Sequence, residues 1–156
     1  MTETGQGHTQ PSPRFLYQEE PMRALRTIEM SGDNIPVRCN LGILEQLQNE
    51  FGSVQEFIGK IAPLDDNGNL NFEQAGADWL PDMHALVYSL PLLVNEGIEV
   101  YNENHKIQLT KMTPKEIFRR CDQPVFTVSA AIYSEVLESM RAPKPEPLTE
   151  TTRQQQ

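Results

Sequence analysis

The sequence is short of basic residues, aromatic residues and cysteines. Against 22 aspartates and glutamates it has 13 lysines and arginines, which gives a net charge of −9. Binding to nucleic acid or to anionic membranes normally depends on clustered positive charge, so this balance argues against both partners. The two cysteines, Cys39 and Cys121, lie far apart and form no Cys-x-x-Cys pattern. We therefore expect a cytoplasmic protein with reduced, buried thiols; a secreted protein with one disulfide is the alternative.

Long apolar runs and recognisable targeting segments are lacking too. The longest apolar stretch, ALVYSLPLLV at 85–94, has about ten residues, about half of what a transmembrane helix needs. The opening MTETGQGHTQPSPR is polar, so we expect no secretory signal. The sequence therefore predicts a protein that does not span a membrane.

The spacing of metal ligands is also lacking. His8, His84 and His105 are scattered and form no His-x-x-x-His pair. The segment DDNGNLNFE at 65–73 resembles a calcium loop, but its glycine is the fourth residue where the sixth is required. An ordinary turn rich in aspartate and asparagine is the preferred interpretation, and we expect neither a metal nor another cofactor.

Catalytic motifs are missing as well. There is no Gly-x-Ser-x-Gly elbow, no phosphate-binding glycine loop and no cysteine with a histidine partner at motif spacing. We therefore do not expect an enzyme. An unrecognised carboxylate site is the alternative, and it would require a deep polar pocket. That pocket would have to collect several of Asp78, Asp82, Glu96, Glu99 and His105.

What the sequence does contain is a foldable region between two polar ends. Residues 1–21 and 142–156 are rich in proline, threonine and glutamine and have few apolar positions, a composition that cannot offset the entropy lost on folding. We expect disordered tails there and one domain over 22–141. The predicted fold class is mainly α, of the α+β type, with an N-terminal β-hairpin packed on a small multi-helix bundle.

The hairpin is predicted from alternating polarity. In RTIEMSGDNIPVRCN at 26–40, apolar residues alternate with polar ones on both sides of a Ser-Gly-Asp-Asn turn. Pro36 cannot donate a hydrogen bond, so its side of the second strand is expected to be an edge or to face solvent.

Capping residues mark the helices that follow. Asn40 and Gly52 bound a first helix, because asparagine caps N-termini and glycine adopts the left-handed conformation that closes a helix. Ser53 and Glu56 then form a capping box for the next helix, which Pro63 stops. Two helices are therefore predicted to meet at an abrupt corner.

The longest predicted helix runs from 82 to 103 and is the most apolar segment. We place Pro81 in its first turn, and expect Pro91 to kink it and Gly97 to weaken it.

Two more helix starts are predicted, one before that helix and one after it. Asn71 with Gln74 forms one capping box and TPKE at 113–116 another, with proline in the first turn. A last helix follows over VFTVSAAIYSEVLESM at 125–140. Its apolar stripe comprises Val125, Val128, Ile132, Val136 and Met140.

This order of elements resembles that of the tail assembly chaperones encoded by long-tailed bacteriophages and prophages. The resemblance covers residues 24–140 and rests on the hairpin, on LGILEQLQNEFGSVQEFIGKI directly after it, on NEGIEVYNE at 95–103 and on LTKMTPKEIF at 109–118. Pro81 and Pro91 depart from the family pattern.

The resemblance implies a non-enzymatic protein of the host bacterial cytoplasm. Such chaperones bind the tape measure protein, keep it soluble until the tail tube forms, and are absent from the mature virion. In many members a frameshift yields a longer form whose extension recruits the major tail tube protein, and Ala-Pro-Lys at 142–144 could be written with codons that allow such slippage. A structural tail or connector protein retained in the virion is the alternative.

Holding a client helix requires apolar side chains at helical spacing. The helix from 82 carries more of them than one buried stripe uses. We predict partner binding at Met83, Leu86, Val87, Leu90, Leu93 and Val94. Two other arrangements stay open: these residues belong to the chain's own core, or a homo-oligomer shares them between subunits.

Overall fold

The computed structural model describes residues 24–71, 73 and 78–141. In these residues a two-stranded hairpin is followed by five helices, which confirms the predicted mainly α fold with an N-terminal hairpin. The elements are β1 Arg26–Met30, β2 Asp33–Val37, α1 Leu41–Phe51, α2 Val54–Ile61, α3 Met83–Asn104, α4 Pro114–Arg120 and α5 Val125–Met140. Both predicted tails lie outside the described residues, as does Gln74 of the predicted Asn71–Gln74 capping box.

The hairpin closes through a shorter turn than predicted. Met30 pairs with Asp33, so only Ser31 and Gly32 connect the strands, with φ of 52° and 89°. Positive φ at both central residues is the conformation that two-residue hairpin turns favour, because its twist matches the strands.

Pro36 occupies a position where its missing N–H costs no ladder bond. Next to a two-residue turn the first pair is hydrogen-bonded, and the pairs then alternate along the ladder. Pro36 pairs with Thr27, three pairs beyond Met30 and Asp33, and so stands at a non-hydrogen-bonded position. The predicted edge placement is confirmed, because the outer side of β2 carries no further strand in the described part of the chain.

The corner between α1 and α2 forms as the capping residues predict. Gly52 ends α1 with φ of 95° and donates its N–H to the Gln48 carbonyl. The Ser53 hydroxyl accepts a hydrogen bond from the Glu56 N–H at 3.0 Å and so begins α2. The abrupt reversal brings the rings of Phe51 and Phe57 to a centroid distance of 5.3 Å in the core.

The long helix α3 lies at the centre of the fold, where it packs against β2 and all four other described helices. It begins at Met83, and the Asp82 carboxylate accepts the Ala85 N–H at 2.9 Å as its N-cap. Pro81 therefore precedes the helix, and its predicted place in the first turn is wrong. The carboxylate supplies the acceptor that a free N–H in the first turn needs, so it determines the start.

Gly97 is the point where α3 and β2 make their closest approach. A Cβ atom there would overlap the Pro36 carbonyl and lie 2.5 Å from the Val37 nitrogen. The Arg38 N–H also donates to the Leu93 carbonyl at 3.0 Å, one turn earlier on the helix. The glycine that weakens the helix in isolation is what allows the strand to lie directly on it.

The last two helices agree with the sequence. The α4 start carries the full predicted capping box, with the Thr113 N–H donating to Glu116 at 2.8 Å and the Glu116 N–H donating to the Thr113 hydroxyl at 3.2 Å. The α5 stripe is buried in its middle and exposed at its two ends, Val125 and Met140. Across the described ranges, no helix has the length and apolarity to cross a bilayer.

Candidate partner-binding surface

The six side chains predicted to bind a partner separate into an exposed pair and a buried group. Met83 and Val87 are 46% and 48% exposed. The other four are buried in the core of the chain, where they cannot contact a partner while the fold is closed. These four are Leu86, Leu90, Leu93 and Val94.

The reason for this separation is the position of α3. A helix on the surface buries one stripe, but α3 has neighbours on several sides and uses its surplus apolar residues against them. The hairpin covers only its second half, where β2 crosses at Gly97. Met83 and Val87 stand one helical turn apart on the first half, seven residues before the buried Leu90 and Val94. They continue the same face beyond the part that the fold covers.

A second apolar area adjoins the start of α3 in sequence. Leu80 is 63% exposed and stands three residues before Met83. Its neighbour Trp79 contacts Phe126 of α5 at a ring centroid distance of 5.8 Å. These two rings line a hollow of about 130 Å³. Other side chains around this hollow are Leu70, Ala130 and Tyr133.

Sequence reasoning missed Leu80 and Phe126. Leu80 precedes the N-cap, where helical periodicity gives no information about burial. Phe126 lies off the apolar stripe of α5, and an aromatic residue next to a complete buried stripe is the signal that could have indicated it.

The first two turns of α3 contact α1 through aromatic rings. His84 and Tyr88 lie within ring contact of Phe51, at centroid distances of 5.5 and 5.6 Å. The His84 Nε2 atom is also 2.8 Å from the Glu50 carboxylate. Met83 and Val87 are therefore presented from a helix end that is held in place, as a binding surface requires.

A different kind of site lies on the second half of α3. We use the name strap for residues 106–113, which return along the helix after its end. The Asn102 amide accepts the Leu109 N–H at 2.7 Å and donates to the Leu109 carbonyl at 2.9 Å. The Asn95 amide does the same with Met112, at 3.0 and 2.9 Å.

We call these two pairs of hydrogen bonds the asparagine clamps. The spacing of the two asparagines along the helix matches the spacing of the two strap residues that they bind. Asn95 and Asn102 are seven residues apart, which is about 10.5 Å along a helix. Leu109 and Met112 are three residues apart, about 10 Å in an extended chain. Each side-chain amide therefore bonds both the N–H and the C=O of one strap residue, as the main chain of a neighbouring strand would. Sequence reasoning missed the clamps, although both asparagines belong to the NEGIEVYNE segment; their two-turn spacing on a helix was the available signal.

The strap and β2 form the two walls of a groove of about 720 Å³. Ile98 and the inner side chains of both walls give it an apolar floor, and α4 contributes charged residues at one side. The lining side chains are Asp33, Asn34, Ile35, Ile98, Leu109, Thr110, Lys111, Met112, Glu116, Arg119 and Arg120.

The acidic residues considered for a catalytic site are spread along the molecule. Asp82 caps the start of α3 and His105 its end, a separation of about 34 Å along the helix axis. Glu96 and Glu99 do share a shallow depression of about 500 Å³ with Glu103. In the part of the chain that the structure describes, no three side chains of histidine, cysteine, aspartate or glutamate are grouped as metal ligands.

Comparison with known proteins gives no match among family models, curated proteins or solved structures. The fold and the surface define the class of protein: a small, mainly α domain with an N-terminal hairpin and an apolar face that is open at one end of its central helix.

Proposed function

We propose that this chain is a bacteriophage tail assembly chaperone, which binds the tape measure protein and keeps it soluble during tail morphogenesis. The proposal begins from the sequence resemblance over residues 24–140. The observation that carries it in the structure is the exposed pair Met83 and Val87 on the first half of α3. Two exposed apolar side chains one turn apart offer contacts for the apolar face of an amphipathic client helix.

Charge and surface chemistry support the same proposal. The net charge of −9 keeps a protein with an exposed apolar face soluble. Methionine at the face suits a client with varied sequence, because its flexible side chain adapts to different contacts. In this proposal the protein acts in the host bacterial cytoplasm, recruits the major tail tube protein through a frameshifted longer form, and leaves before the virion is complete.

The test is co-expression with the tape measure protein encoded by the same phage. We expect the chain to raise the soluble yield of that client, and the double variant Met83→Glu with Val87→Glu to lower the yield about tenfold, since two lost anchors remove more than about 1.4 kcal/mol of binding. A client that is equally soluble without the chain would contradict the proposal.

The matched control is the double variant Leu41→Glu with Ile107→Glu. Leu41 at the start of α1 is 81% exposed and Ile107 in the strap is 75% exposed, so this variant adds the same two charges away from the first half of α3, and we expect the client to stay soluble. Mass spectrometry of purified virions tests the alternative, because a structural tail or connector protein would be present there in stoichiometric amount.

A further inference from the structure

We propose that the groove between β2 and the strap binds an extended peptide segment that carries a carboxylate side chain. The peptide's main chain would pair with the outer edge of β2, and its carboxylate would meet Arg119. This inference goes beyond the client-binding face on α3, and it holds or fails independently of the proposed function.

On the outer edge of β2, one residue pairs with no other element among the described residues. In the ladder register, Asn34, Pro36 and Arg38 direct their main-chain groups away from β1. The Arg38 N–H is bonded to α3, and the Pro36 carbonyl lies against Gly97. Asn34 is exposed and lines the groove, and no residue of the described part, outside the hairpin, forms a hydrogen bond with its main chain. An added strand would satisfy it.

The opposite wall is an extended segment held at a fixed distance. The asparagine clamps use the main-chain groups of Leu109 and Met112. Between them stand Thr110 and Lys111, both exposed, and both line the groove. Because the clamps hold the strap from the helix side, a ligand could enter without first ordering this wall, which lowers the entropic cost of binding.

The floor determines the spacing of the ligand's side chains. Ile98 is buried in the floor, and Leu109 and Met112 are half-buried beside it. Successive side chains of an extended peptide point in opposite directions. Apolar side chains at alternate positions would therefore face this floor while the intervening ones face solvent or the groove rim.

The charges of the groove identify the ligand class. Arg120 pairs with Asp33 at 2.6 Å, and Lys111 pairs with Glu99 outside the groove. Glu116 is occupied by the capping box of α4. Arg119 has no carboxylate within 4.0 Å among the described residues. In a chain with a net charge of −9, this arginine favours a partner that brings its own carboxylate.

The experiment uses the full chain labelled with ¹⁵N and the probe peptide acetyl-Thr-Val-Glu-Val-Thr-amide. We expect concentration-dependent amide shifts centred on Asn34, Thr110, Lys111 and Arg119, with a Kd on the order of 10⁻⁴ M for so small a contact. Shifts centred instead on α3 near Met83, or no shifts up to millimolar peptide, would overturn the proposal. Shifts that depend on protein concentration without peptide would show that a second copy fills the groove, and would overturn it too.

Two peptide controls separate main-chain pairing from charge. A probe N-methylated at every residue has no N–H to donate to the edge of β2, so we expect it not to bind; equal binding would rule out edge pairing. A probe with lysine in place of glutamate should bind about tenfold more weakly, the loss of one charge-assisted contact.

The protein variants repeat the test from the other side. Arg119→Glu should weaken binding of the glutamate probe about tenfold and restore binding of the lysine probe. Lys115→Glu is the matched control, because it makes the same charge change on α4 away from the groove lining. If both variants weaken binding of the glutamate probe equally, the loss comes from the change in net charge of the protein. The assignment of the contact to Arg119 would then be wrong.

Discussion

At the scale of single residues, Gly97 shows how a local cost serves a tertiary contact. Glycine in a helix interior is about 1 kcal/mol less favourable than alanine. At this position the absence of a side chain allows the Pro36 carbonyl and the Val37 nitrogen to lie against the helix. The residue therefore stabilises the junction of β2 and α3 even though it disfavours the helix itself.

Replacing this glycine tests that conclusion. We expect Gly97→Ala to lower the free energy of unfolding by about 3 kcal/mol, because the added methyl group must displace main-chain atoms rather than a flexible side chain. Urea denaturation would measure the change. Gly59→Ala is the control: it is an exposed helical glycine with no atom within 4 Å of an added Cβ, so it should gain about 0.5–1 kcal/mol. Changes of the same sign at both sites would contradict the explanation.

At the scale of elements, the strap is an extended segment that depends on a helix for its main-chain bonds. It has no strand partner in the described residues, and the two asparagine clamps supply donors and acceptors in its place. The side chains of α3 therefore organise both this segment and the groove beside it.

Graded substitution at one clamp tests its contribution. Asn102→Asp keeps the acceptor for the Leu109 N–H but loses the donor, whereas Asn102→Leu loses both. We expect hydrogen exchange at Leu109 to accelerate about fivefold and about thirtyfold respectively, from about 1 kcal/mol for each bond lost. The neighbouring exposed variant Glu103→Leu should leave this exchange rate unchanged. Similar rates in all four proteins would show that the strap is held by something other than the clamps.

At the scale of the whole molecule, a buried carboxylate ties the first elements to the last. Glu135 of α5 is fully buried. It accepts hydrogen bonds from Arg26 at the start of β1 and from the Cys39 N–H after β2, both at 3.1 Å. Arg38 lies 4.0 Å away on the same carboxylate. The hairpin and the final helix therefore share one ion cluster although about a hundred residues separate them in sequence.

Truncating this carboxylate should weaken the whole fold. We expect Glu135→Ala to lower the free energy of unfolding by about 3 kcal/mol, because it removes the counter-charge of two arginines and leaves the Cys39 N–H without its acceptor. Glu138→Ala, at a half-buried position one turn away, should change stability by less than about 0.5 kcal/mol. Thermal and urea denaturation would measure the stability of both variants. An equal loss of stability in both would show that the ion cluster does not contribute more than an ordinary surface charge.

The sequence by itself determined the local structure of this protein. Caps, turns and apolar periods act between residues within a few positions of one another, so Gly52, Ser53 and the TPKE box give the helix boundaries directly, and the hairpin follows from alternating polarity. The exposed members of the predicted surface, Met83 and Val87, were among the candidates for the same reason.

Only the tertiary structure decided which of those candidates remain exposed. Burial of Leu93 or Val94 depends on where β2 and the other helices lie, and those elements are brought together by contacts across long sequence separations. The same holds for the burial of Glu135, for the hydrogen bonds of Asn95 and Asn102 to the strap, and for the edge at Asn34, which no other described element pairs with. The sequence does not show whether a polar side chain is hydrated or bonded to the main chain of a distant segment. Its partner depends on tertiary packing and not on the residues next to it in the chain.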